Sequence, residues 1–217
     1  SYSVINKVIT GLIPTFDVAL ATKYEPTFCD FENEEWLASR KLDGVRCIIR
    51  KDEDKVIAYS RKGNEFLTIQ KVLDEVAMIP ANFVFDGEVC LMDKDGNEDF
   101  QGIMKQIKRK NHTIDHPKYI IFDYLTLEEF DTKESTSILS ERINGVNALL
   151  NCASPFEILE VLIQTPVQDD DHLSRLINDA DKRGFEGIML RKNVGYEGKR
   201  SKNLLKCKKF FDEEYIV

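Results

Sequence analysis

Apolar and polar positions along the chain mark out most of its elements. From Pro14 the pattern is strand-rich. Val45 to Ile49 and Val56 to Tyr59 flank a charged turn at Asp52 to Asp54, which predicts a hairpin. Leu67, Val72, Leu73, Val76 and Ala77 recur at helical spacing until Pro80 closes the segment. NFVFDGEVCLMDKDGNEDF reads as a strand, a tight Asp-Gly turn, more strand and a second Asp-Gly turn. KYIIFDYL is apolar enough for a central strand, and SILSERINGVNALL has the period of an amphipathic helix. A strand FEILEVLIQ, a helix from His172 to Lys182, a strand FEGIMLRK and a closing pair, NLLKCKKF and EEYIV, complete the pattern. Trp36 is expected in the core. Strands and helices mix without a regular β-α alternation, so the expected class is α+β with largely antiparallel sheets.

The 217 residues suffice for one large domain or for a domain with a small appendage. SYSVINKVITGL, ahead of the strand-rich part, reads as the tail of a helical element, and an opening on Ser1 points to a fragment. Residues 1–13 are therefore expected to be a stub or linker, and 14–217 the domain. With 42% hydrophobic and 31% charged residues the composition is that of a globular chain. No apolar run is long enough to span a membrane, and no signal peptide is recognisable. Five scattered cysteines without a CxxC fit reduced thiols in an intracellular setting and offer no zinc site.

A net charge of −8 conceals strong local asymmetry. RKNVGYEGKRSKNLLKCKKF, residues 191–210, is crowded with Lys and Arg and has Glu197 as its lone acid; KQIKRKNH, around Lys105 to Lys110, contains no acid. Five stretches place charge beside glycine or inside a strand: KLDGVR, SRKGNE, FDGEV, FEGIMLRK and LLKCKK. Together they supply Lys41, the carboxylates Glu88 and Glu186, the arginines Arg46 and Arg61, and Lys206 with Lys208. Residues two apart on a strand point the same way, so Lys206 and Lys208 would present two ammonium groups to one site. Such pooled positive charge suits polyphosphate, and carboxylates in the same pocket imply an intervening magnesium ion. An ordinary lysine, with a pKa near 10.4, is a poor nucleophile at neutral pH. Neighbouring cations and a metal would disfavour the ammonium form of Lys41 and expose an amine able to attack phosphorus. Spacing alone leaves covalent lysine chemistry and plain phosphate binding both open. Asp43 and Asp86, each ahead of a glycine, read as turn formers. The three histidines are too dispersed for a metal site.

KLDGVR, FDGEV, YIIFDY, EGIML and LLKCK, in this order, resemble the nucleotidyltransferase motifs of ATP-dependent DNA ligases, closest to the phage type, with NKVITGLIP upstream and RSKNLLK near the end. The resemblance implies an ATP-grasp-like nucleotidyltransferase fold, with largely antiparallel sheets flanked by helices around a nucleotide cleft. It also implies that Lys41 becomes adenylated from ATP and passes AMP to the 5′-phosphate of a nick in duplex DNA. By position, Arg46 and Glu88 would hold the ribose hydroxyls, Phe122 and Met189 would sandwich the adenine, and Ser39 with Arg40 would meet its edge. Lys206 and Lys208 would contact the α-phosphate. Glu186, with help from Glu88, would bind Mg2+, and Arg61 would grip the 5′-phosphate. A monomer is expected, with a DNA-binding domain before this chain and an OB-fold after it. The alternatives are a messenger-RNA capping guanylyltransferase, an RNA ligase, and a non-catalytic nucleotide- or DNA-binding module of the same fold. EGIML argues against the capping enzyme, which typically has aspartate at the position of Glu186.

Overall fold

A computed structural model describes residues 16–153 and 155–208. The expected segments at 1–13 and at EEYIV lie outside them. Among these residues ten strands form two five-stranded sheets. The first contains β1 (Leu20–Lys23), β10 (Arg200–Cys207), β9 (Ile188–Lys192), β2 (Trp36–Arg40) and β8 (Thr165–Pro166), in that spatial order. The second contains β4 (Lys55–Ser60), β3 (Val45–Asp52), β5 (Phe83–Cys90), β6 (Lys118–Leu125) and β7 (Leu159–Val161). Pairing is antiparallel except for β1 with β10 and β6 with β7. Five α-helices accompany the sheets among the described residues: α1 (Gln70–Ala77), α2 (Phe100–Gln106), α3 (Leu127–Thr132), α4 (Leu139–Ala153) and α5 (Asp170–Lys182). The α+β class with antiparallel-rich sheets is thus borne out.

The main core lies on the second sheet, where Val72 and Val76 of α1, Ile103 of α2 and Val146 of α4 pack against Ile49, Phe83, Phe85 and Ile121. The smaller core lies on the first sheet, where Trp36, Leu190 and Leu205 meet Leu173 and Ala180 of α5. Both α3 and α5 begin as their sequences dictate. The Thr126 hydroxyl and the Glu129 side chain form a reciprocal capping box, and Asp169 accepts from the His172 amide. The β3–β4 hairpin turns at Glu53, whose φ is positive at 53°.

Three expectations need correction. FDGEV holds no turn, because β5 runs unbroken through Asp86 and Gly87. Asp86 faces Arg46 across the sheet, and Gly87 sits at a bulge where a Cβ would lie 2.7 Å from the Ile120 carbonyl oxygen. This glycine serves close backbone approach in the interior of a strand. The segment FEILEVLIQ holds one short strand, β7, and β8 follows it at Thr165 in the other sheet, so the chain crosses between the sheets over Leu162 to Gln164. Leu67 stands outside α1 and is 79% exposed.

Candidate functional site

The loop from β2 to β3 carries Lys41, and it is held at four points. Its own amide donates to the Gly187 carbonyl (2.8 Å), next to β9. The Gly44 amide donates to Glu88 Oε1 on β5 (3.0 Å). The Asp43 amide donates to Glu98 Oε2 (2.7 Å), and Arg40 Nη1 donates to Glu98 Oε1 (2.7 Å). Both sheets and the segment leading into α2 therefore converge on one short loop.

Lys41 opens into a cleft of about 660 Å³ between the sheets. Glu88, Glu186, Met189, Lys206 and Lys208 share its lining, with Arg61 at the end of β4. Glu186 sits between two ammonium groups, its Oε2 accepting from Lys41 Nζ and its Oε1 from Lys208 Nζ. Burial would raise the Glu186 pKa, but the hydrogen bonds from Lys208 and Lys41 outweigh it and hold the carboxyl below its ordinary range. Lys41 thus faces a carboxylate at contact distance, whereas the sequence set Glu186 in the same pocket as a metal ligand and drew the influence on Lys41 from the neighbouring cations. Lys206 lies on β10 and Lys208 one residue past its end; both reach the cleft, as expected.

Glu88 is pushed up to about 7, chiefly by burial and against the opposing pull of the Gly44 amide, Lys41 and Arg46. Arg46 is committed to structure. Its Nε donates to Asp86 Oδ1 (2.8 Å), its Nη2 pairs with Asp86 Oδ2, and its Nη1 donates to the Ala19 carbonyl (2.6 Å). Burial by itself would lower its pKa, but the facing Asp86 carboxylate reverses the direction and holds the guanidinium charged. Phe122, on β6, borders the cleft with only 6% of its surface exposed. Its ring carries the Arg191 guanidinium at 4.7 Å and that of Arg46 at 5.4 Å.

Ser39 is buried, and its hydroxyl accepts from Arg191 Nη1 (2.9 Å); it lines a neighbouring groove and not the lysine cleft. Arg40 borders both spaces, its head turned to Glu98. Of the basic stretch Lys105 to Lys110, Lys108 reaches the cleft. Two residues at the site were not singled out from sequence. Arg191 carries the signal used for the others, a charge inside the apolar strand IMLRK. Glu98 has no such signal, because it sits in a polar hairpin that reads as solvated surface. Among the described residues no group of three or more His, Cys, Asp or Glu is placed to hold a metal, and no helix is long and apolar enough to cross a membrane.

Against known proteins, the model of the ATP dependent DNA ligase domain matches residues 18–208. The chain belongs to the ATP-dependent DNA ligase family. This ligase-family chain is 28% identical over 191 residues to the SPbeta prophage-derived DNA ligase-like protein LigB of Bacillus subtilis (strain 168), covering 86% of this chain and 66% of that protein. It is 29% identical over 192 residues to a DNA ligase of Haemophilus influenzae, covering 85% of this chain and 62% of the other. The solved structure Pmar-Lig_Pre superposes with a TM-score of 0.83 at 27% identity, covering 96% of this chain and 51% of that one. The ligase-family chain thus spans between half and two thirds of the length of these relatives. The resemblance read from the ordered motifs is borne out, and the capping enzyme is not favoured.

Proposed function

We propose that this chain is the adenylating part of a DNA ligase and that Lys41 is its nucleophile. The observation that carries the reading is the placement of Lys41 on Glu186 in a cleft that also receives Lys206, Lys208 and Glu88. In the reaction, the Lys41 ammonium first gives up a proton to solvent; the freed Nζ lone pair then forms a bond to the α-phosphorus of ATP as the bond to pyrophosphate breaks, and a second proton leaves the nitrogen to solvent to give the phosphoramidate N–H. Lys206 and Lys208 hold and neutralise the phosphates, which is the main contribution a protein makes to phosphoryl transfer. The AMP then passes to the 5′-phosphate of a nick in duplex DNA, which Arg61 binds, and the adjacent 3′-hydroxyl displaces AMP to seal the strand. Met189 and the exposed edge of Phe122 take the adenine, and Glu88 takes the ribose. Arg46 supports this surface from beneath through Asp86 and Phe122. Ser39 supports it through Arg191.

Magnesium characteristically takes one or two carboxylates together with substrate phosphates. Glu186 and Glu88 fit such an ion, one that arrives with the nucleotide and is not a resident metal. When bound it would draw charge from the phosphate oxygens. Strand sealing calls on further regions of the parent chain, an N-terminal DNA-binding domain and a C-terminal OB-fold, acting as a monomer in the intracellular compartment that holds DNA. Binding to duplex backbone through Lys108 and the residues of β10 would weaken steeply as salt rises and would carry no base preference.

Incubation with ATP and magnesium, followed by intact mass measurement under denaturing conditions, tests the reading. The expected result is one acid-labile AMP adduct that is absent from Lys41→Ala and does not form with GTP. A wild-type protein that never gains this mass, even within the complete parent chain, overturns the reading in favour of a non-catalytic module.

A further inference from the structure

Glu98 stands outside the nucleotide's expected contacts, yet it grips both flanks of Lys41. One carboxylate oxygen accepts from the side chain of Arg40, the residue before Lys41, and the other from the backbone amide of Asp43, two residues after it. Both contacts are 2.7 Å, the length of a charge-assisted hydrogen bond. The Glu98 side chain is 11% exposed, so water offers these donors little competition. Glu98 is itself anchored. It bridges Met92 across a hairpin closed by the Asp93 amide on the Asn97 carbonyl, and the next residue, Asp99, caps α2.

Resting on the reading of Lys41 as the nucleophile, we propose that Glu98 is a positioning residue for the adenylation step. Its carboxylate spans the Lys41 loop like a bracket and fixes where the amine points. The other backbone holds come from opposite sides, Gly187 at Lys41 and Glu88 at Gly44. Removing Glu98 therefore frees Arg40 and Asp43 together while leaving the loop attached. Glu98 does not line the nucleotide cleft. Its effect should fall on the rate of attack, with little effect on nucleotide affinity, because displacing a reacting atom by about 1 Å can cost roughly 10²-fold in rate.

The test compares the wild-type chain with Glu98→Ala and Glu98→Gln. Single-turnover formation of the AMP adduct is followed against ATP concentration. Hydrogen exchange at the Asp43 amide is followed without nucleotide. For Glu98→Ala the adduct rate at saturating ATP is expected to fall at least 10-fold with half-saturation unchanged within about 2-fold, as for a group that positions the reacting atom without binding substrate. The Asp43 amide should exchange at least 10-fold faster in the same variant. Glu98→Gln, which keeps an oxygen for Asp43 but loses the charge opposite Arg40, should fall between. If Glu98→Ala does not fold, Glu98→Gln decides. A saturating adduct rate equal to wild type in the folded variant overturns the proposal, as does a loss confined to half-saturation. If the wild-type chain forms no adduct at all, the functional reading fails. The exchange comparison then still decides whether Glu98 restrains the loop, and unchanged exchange sinks the bracket itself.

Discussion

Glu186 accepts from two lysines at once, Lys41 on one oxygen and Lys208 on the other. One carboxylate thereby sets the separation of Lys41, the proposed nucleophile, and Lys208, the proposed phosphate-binding cation, though the two lie far apart in sequence. The sequence pattern could supply both partners but not this bridging.

Glu186→Gln breaks the bridge while keeping the side chain's shape. Adduct formation on Lys41 should fall by roughly 10²-fold, the size expected when a reacting group loses its placement. Because the folded-state pKa of Glu186 is depressed, its contribution to stability is present above the ordinary glutamate value of 4.5 and is lost as pH falls through the lower folded value. Thermal unfolding of wild type and Glu186→Gln should therefore differ at pH 7 and converge in acid. A constant difference down to the acid limit would remove the pairing from the account.

Glu88 behaves in the opposite sense. Its folded pKa is raised to about 7 from 4.5, with burial the leading cause, so the folded state prefers the protonated carboxyl. The associated stability is fully present below pH 4.5 and is lost as pH rises through about 7. The loss is on the order of 3 kcal/mol, since each tenfold change in proton affinity is worth about 1.4 kcal/mol. Chemical denaturation at pH 5 and pH 8 should show this slope in wild type and lose it in Glu88→Gln. An equal slope in the variant refutes the assignment.

Asp86→Ala should be costly for a different reason. It leaves the Arg46 guanidinium without the carboxylate that engages its Nε and Nη2 in a buried position. Breaking one side of a buried ion pair typically costs about 3–5 kcal/mol. Replacing both members, Arg46→Met with Asp86→Leu, should recover much of that loss, and denaturant midpoints of the three chains measure the difference. A single variant that unfolds like wild type would mean the pair is solvated.

Much of this fold was legible because its elements carry clean periods: the β3–β4 hairpin, α4, α5 and β6 lie where their patterns put them, and α1 does so apart from Leu67. Asp86 and Gly87 were misread because Asp-Gly is the chemistry of a turn, and only the antiparallel partners on both sides of β5 show that the glycine is needed for close packing. The candidate site was legible at Lys41, Glu88, Glu186, Lys206 and Lys208 because each puts charge where a strand or a glycine should not need it. Arg46 was legible as charge but not as a strut, since its partner Asp86 is forty residues away and is brought near only by strand register. Glu98 was hidden for the same reason. A long-range contact from a polar hairpin leaves no local trace.

Gly187 offers the sharpest test of how the cleft is assembled. Its φ is +143°, and a Cβ there would lie 2.2 Å from the Cys207 carbonyl oxygen, at the end of β10 just before Lys208. The same residue's carbonyl receives the Lys41 amide at 2.8 Å, and its neighbour is Glu186. Gly187→Ala must therefore push apart the three groups of the lysine–glutamate–lysine bridge. It should lower stability by about 2 kcal/mol through backbone strain and crowding, and lower adduct formation by roughly 10²-fold through misplacement. Gly184, three residues earlier, also has positive φ, at +73°, but nothing lies within 4 Å of its would-be Cβ. Gly184→Ala should cost about 1 kcal/mol from conformation alone and leave adenylation near wild type. Thermal unfolding and intact mass on the two variants separate strain from placement. Equal loss of adduct in both would mean that strain near β9, and not the closeness of Gly187 to Cys207, governs the site.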